Sequence, residues 1–160
     1  SYPQSFSTVA WSRDGARIFL ASAPGIVRCV DPVTGSVISS VDLRAAAHAM
    51  EVSPDGSAIA VGTEETSTAL VLDATTLEVR TALPGHTEAV RGVSWHPGGT
   101  RLATCGYDGT VRIWDVDRAE LVGVVDTKER LGALAWSQDG LSLVAVTVPG
   151  NILCWSTGLE

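Results

Sequence analysis

The sequence predicts an all-β fold, a propeller of four-stranded antiparallel blades with four blades in the chain, and three observations predict it. Two turn markers recur with one shared period. The runs between them have strand length and alternating character. No stretch carries the apolar period of a substantial helix.

The first marker ends a strand in a tight turn: WSRDG at Trp11–Gly15, VSPDG at Val52–Gly56, WHPGG at Trp95–Gly99 and WSQDG at Trp136–Gly140, spaced 41, 43 and 41 residues apart. The second closes an apolar run at Asp31, Asp73, Asp115 and Ser156, spaced 42, 42 and 41 apart. Two independent markers with one period define a repeat, and the boundaries fall near 1–43, 44–84, 85–126 and 127–160 within a single domain, 1–160.

Between the markers lie Ile18–Ala21, Ala58–Val61, Leu102–Thr104 and Leu141–Val146, each bounded by Gly, Pro and Asp, as strands are. The third repeat is the clearest, with strand a at Val90–Trp95, b at Arg101–Cys105, c at Thr110–Trp114 and d at Glu120–Val125. Asp108-Gly109 makes the b–c hairpin. Arg44–Met50, the nearest approach to a helical pattern, reads as a loop entering strand a. Such four-stranded units cannot bury both faces alone and must stack on neighbours around an axis.

Composition limits the function. With 45% hydrophobic and 18% charged residues in 160, the chain is rich in apolar side chains, which implies very complete burial or an apolar surface that meets a partner. Its net charge is −7, and the 11 Lys and Arg are scattered, so nucleic acid and anionic membranes are not expected partners. Cys29, Cys105 and Cys154 lack any CxxC spacing, which indicates neither a zinc site nor a disulfide framework and suits a reducing cytoplasm. No run of roughly 18 apolar residues and no secretory start is present, so a soluble, unexported protein is expected. Ser1, Leu159 and Glu160 read as tag remnants and are set aside.

The third repeat resembles the WD40 family: Gly85-His86 opens it, Trp114-Asp115 closes strand c, and GYDGTVRIWD spans Gly106–Asp115. The resemblance extends over essentially the whole chain. The other repeats depart from it by lacking Gly-His and by carrying Val30-Asp31, Leu72-Asp73 and Trp155-Ser156 in place of Trp-Asp. It implies a structural hydrogen-bonded tetrad of His86, Thr104, Asp108 and Trp114. A catalytic triad of His86, Asp108 and Thr104 is the competing reading, set aside because the blade itself needs these residues. Pro24 and Pro149, each followed by Gly, stand where the tetrad Asp would be in the first and fourth repeats.

Trp11, Trp95 and Trp136 are expected in the core between blades, and Cys29, Cys105 and Cys154 as small apolar core residues. His48 and His96 are expected to be ordinary exposed histidines. Glu64 and Glu65 lengthen the second b–c turn by one residue. No phosphate-cradling loop, nucleophile elbow or paired carboxylates appear, so no catalytic residue, metal site or cofactor is expected, and the chain does not read as an enzyme.

The resemblance further implies partner contacts on the top face, at the start of strand a and in the b–c turn. The matching positions are Ser5, Ser7 and Ala23; Ala46, His48 and Glu64; Ala89, Arg91 and Tyr107; Arg130, Gly132 and Val148. Arg91, Tyr107 and Arg130 are the residue types that dominate interface energetics. An ordinary solvated rim is the bland alternative. The expected function is a protein or peptide interaction module, a scaffold or sensor, either cut from a longer bacterial signalling protein or self-associating as two half-rings into eight blades. The alternative is a small-ligand or substrate site in the central channel.

Overall fold

The computed structural model describes residues 5–156, so Ser1, Leu159 and Glu160 lie outside the described residues. Fifteen strands and no helix occur among them. Blade 1 is β1 (Phe6–Trp11), β2 (Ile18–Ser22), β3 (Ile26–Val30) and β4 (Val37–Asp42). Blade 2 is β5 (Ala47–Val52), β6 (Ala58–Thr63), β7 (Thr68–Asp73) and β8 (Val79–Pro84). Blade 3 is β9 (Val90–Trp95), β10 (Arg101–Gly106), β11 (Thr110–Asp115) and β12 (Glu120–Asp126), and blade 4 is β13 (Leu131–Trp136), β14 (Ser142–Thr147) and β15 (Ile152–Ser156). Each sheet is an antiparallel meander in chain order, four-stranded in blades 1 to 3 and three-stranded in the described part of blade 4.

The turns follow from their residues. In the third b–c turn Gly109 takes φ +74°, a region closed to most side chains, and its N–H reaches Gly106 O at 3.2 Å. The Pro-Gly turns close in the same way, Gly25 N to Ser22 O at 2.8 Å and Gly150 N to Thr147 O at 2.9 Å. At the opposite end, Ser53 Oγ donates to Asp55 at 2.6 Å while Asp55 accepts from Ser57, which holds its carboxyl well down, at about 2.

The core lies between the blades. Strand alternation gives each blade a forward face toward the next blade and a backward face toward the previous one. Phe19, Ala21, Val27 and Cys29 look forward from blade 1 onto Ile59, Val61 and Leu72. Ala60 and Val71 meet Val90, Leu102 and Trp114. Ala103, Cys105 and Val111 meet Leu131, Leu143 and Ala145. Contact is close enough that a Cβ on Gly62 would lie 2.8 Å from Val90 O.

This arrangement corrects two expectations. Trp95 is buried against blade 2, 5% exposed, with its indole N–H on Glu51 O at 3.2 Å. Trp136 is partly buried against blade 3, its backbone N–H on Ser94 Oγ at 3.1 Å. Trp11 is 55% exposed, because the strand a tryptophan packs on the preceding blade and none precedes β1 among the described residues. Cys154 is exposed for the converse reason. It pairs with Val144 as Cys29 pairs with Phe19, but nothing described covers the forward face of blade 4. Cys29 and Cys105 are buried, and burial pushes the Cys105 thiol up to about 12.

Candidate functional site

Antiparallel order puts the start of strand a, the b–c turn and the loop from strand d at one end of every blade. Strand a carries a one-residue bulge there in all four blades. Phe6 pairs with Ser22 and Thr8 with Ala21, which leaves Ser7 unpaired. His48, Arg91 and Gly132 are left out in the same way in blades 2, 3 and 4. A bulge bends its strand and re-aims the extra side chain, so one position per blade is turned out of the ladder. The b–c turn is tied to the residue two before the bulge: Glu64 N to Ala46 O at 3.0 Å, Tyr107 N to Ala89 O at 3.0 Å and Val148 N to Arg130 O at 2.7 Å.

The bulge side chains differ from blade to blade. Ser7 donates to Ala21 O at 3.1 Å and to Ala47 O of blade 2, so its hydroxyl links two blades. His48 is partly buried and its Nε2 meets the Glu64 carboxylate, which corrects the expectation of an exposed, solitary histidine. Arg91 stacks its guanidinium 4.9 Å from the centre of the Tyr107 ring. Arg130, from the next blade, lies 4.9 Å from the same ring centre. Its Nη2 also donates to Glu88 Oε2 at 2.7 Å. The structure therefore brings Arg91, Tyr107 and Arg130 into one cluster, with Gly132 and Val148 exposed on blade 4 and Ser5 and Ala23 exposed on blade 1. Ala46 and Ala89 are corrected: their side chains are buried, and their carbonyls serve the b–c turns. Glu88 was missed by the sequence reading, although it sits in the loop before strand a.

The tetrad residues lie just beneath. Trp114 Nε1 donates to Thr104 Oγ1 at 2.9 Å, Thr104 Oγ1 lies 2.8 Å from His86 Nε2, and His86 Nδ1 lies 2.9 Å from Asp108 Oδ2. Asp108 also accepts from Thr87 N and Thr110 N, so the residue after Tyr107 is fixed from three sides. Burial works to raise the Asp108 carboxyl, but His86 and these N–H groups outweigh it and hold it below the usual range. Burial lowers His86 against the Asp108 charge. The cluster on Tyr107 thus stands on a rigid base.

The far end of strand a, next to the a–b turns, offers fewer free groups. A cavity of about 350 Å³ is lined by Arg13, Glu51, Trp95, Trp136 and Gln138 among others. Arg13 is committed to Ser53 O at 3.0 Å and Val52 O at 2.7 Å, and Glu51 to Trp95 N at 2.7 Å. Burial raises the Glu51 carboxyl. His96, partly buried, meets the Trp136 ring edge-on at 5.0 Å and accepts from Gly98 N, so it too is a packed residue and not an exposed one. No group of three potential metal ligands occurs among the described residues.

Comparison with known proteins agrees with this architecture. The family described as WD domain, G-beta repeat matches residues 77–115. The chain is 42% identical to human Coronin-7 over 77 residues, 45% of this chain and 8% of that protein. It is 31% identical to Periodic tryptophan protein 2 of Arabidopsis thaliana over 107 residues, 65% of this chain and 12% of that protein. The matches thus span a small part of these relatives' own length. A solved structure, that of U3-55K, superposes with a TM-score of 0.83 at 17% identity, over 98% of this chain and 53% of that one. The third repeat thus matches the WD40 family, and the blade architecture of the described residues is that of a β-propeller.

Proposed function

We propose that this chain is a non-catalytic interaction module, a scaffold or sensor that engages a protein segment on its top face. One observation carries the reading: Arg91, Tyr107 and Arg130, from two blades, converge on a bulge above a rigid polar base. Tyr anchors interfaces because it offers large contact area with few rotamers to freeze, and Arg because it has several donors to place. The cysteines are free, which suits the reducing environment of the cytoplasm. Panning random displayed peptides on the immobilised chain tests the reading. Selected peptides are expected to lose binding to Tyr107→Ala. Peptides that bind wild type and Tyr107→Ala equally would contradict it.

A second reading, self-association, is favoured by the two open flanks. Val27 on the forward face of blade 1 is 0% exposed beneath blade 2, while Ile152 at the same register of blade 4 is 73% exposed. Blade 1 exposes the complementary backward face, with Val9 and Trp11 opposite Leu20 and Ile18. One flank is of the kind that the other covers within the chain. Two copies meeting head to tail would bury both.

A further inference from the structure

We infer that the Arg91–Tyr107–Arg130 cluster, with Val148 beside it, recognises a short acidic segment in which a carboxylate side chain neighbours an aliphatic one. The inference rests on the top-face reading above and names what that face takes.

Each guanidinium carbon lies 4.9 Å from the Tyr107 ring centre, a cation–π contact that holds the two charges in place, and the N–H donors along the guanidinium edges that Glu88 does not take remain for a ligand. Arg91 pairs with no carboxylate among the described residues. Among the described residues Arg130 pairs with Glu88 alone, and both of those side chains are substantially exposed. An exposed ion pair is weak and exchanges readily, so an incoming carboxylate can replace Glu88 on Arg130 or take the edge of Arg91. A carboxylate matches such an edge with two parallel hydrogen bonds. The Tyr107 hydroxyl has no partner among the described residues and adds a further donor.

The aliphatic half of the ligand follows from blade 4. Val148 is tied to Arg130 through its backbone and exposes its side chain beside it. Gly132, at the bulge position of the same blade, has no side chain where the other blades carry one, and a Cβ there would touch only Val146 O at 3.9 Å. The positive charge is local within a chain of net charge −7. Screening confines its reach to about 8 Å at physiological salt, so a short acidic stretch can profit from it where a long polyanion meets repulsion from the rest of the surface.

The test is a fluorescence anisotropy titration of the 160-residue chain. The probes are a labelled peptide carrying Glu-Leu-Glu-Val between Gly-Ser ends, its Gln-Leu-Gln-Val and Lys-Leu-Lys-Val counterparts, and a single-stranded oligonucleotide. The acidic peptide is expected to bind about tenfold or more tightly than the others, and more weakly as salt rises. Arg91→Ala and Arg130→Ala should each lower its affinity about tenfold, whereas Glu88→Gln, which removes the internal competitor, should raise it severalfold. All three variants should melt with wild type, since the replaced side chains lie on the rim. Equal binding of the Gln or Lys peptide, preference for the oligonucleotide, or weaker binding by Glu88→Gln would overturn the inference. Neutral peptides that bind and depend on Tyr107 would leave the top-face reading standing while this inference fails. Absence of binding by every peptide, with an empty library selection, would bring down both.

Discussion

An indole nitrogen can only donate, so Thr104 Oγ1 must accept from Trp114, which leaves the hydroxyl proton for His86 Nε2. His86 then carries its own proton on Nδ1 and gives it to Asp108, and the polar side-chain atoms that link the tetrad are satisfied with a neutral imidazole. Burial favours the same state. Because the folded His86 pKa is lowered, the unfolded chain binds the extra proton first. The contribution of His86 is fully present above the unfolded value near 6.5 and is lost as pH falls through the folded one. Urea midpoints should therefore fall between pH 7 and pH 5, and fall less in His86→Gln. Thr104→Val strands the Trp114 N–H and the His86 nitrogen in the core and should cost about 1–3 kcal/mol in urea unfolding. A Thr104→Val variant as stable as wild type would mean the network adds nothing. All four residues were legible only through the resemblance of the third repeat to the WD40 family, which implies the tetrad. Glu88 was not, since its role depends on Arg130, contributed by the following blade.

At the scale of the strand, the bulges decide what the top face presents. Ser7, His48, Arg91 and Gly132 were chosen from the sequence by repeat position, but the bulge that turns them outward leaves no mark in residue type, being Ser, His, Arg and Gly in turn. The strands themselves were legible from alternation and turn chemistry, except that Ala47–Met50, expected in a loop, forms most of β5. Which neighbour covers a given face was not: Trp11 and Trp95 stand at one repeat position and differ only in whether a described blade lies behind them. Close blade contact makes a sharp prediction. Gly62→Ala would press its Cβ on the Val90 backbone, force blades 2 and 3 apart and cost about 1–3 kcal/mol. Gly132→Ala, which meets only Val146 O at 3.9 Å, should stay within about 0.5 kcal/mol. Thermal melts of the two variants check this contrast, and equal losses would contradict the packing described.

For the molecule as a whole, the buried apolar side chains lie between blades, and the exposed ones lie along the outer strands and on the two flanks that no described blade covers. Self-association through those flanks predicts a light-scattering mass that rises toward twice 16.7 kDa with concentration, and a return to the single-chain mass in Ile152→Glu. A concentration-independent mass of one chain would rule it out. Partners are expected to dock on the end of the blades where the bulges lie. Chemical-shift mapping of the isotope-labelled chain, titrated with a peptide selected by panning, tests it most directly. Shifts confined to Ala89–Gly92, Tyr107, Arg130–Gly132 and Val148 are the predicted result. Shifts centred on the opposite turns, Arg13–Gly15 and Asp55–Gly56, or on the flank at Ile152–Cys154, would contradict it.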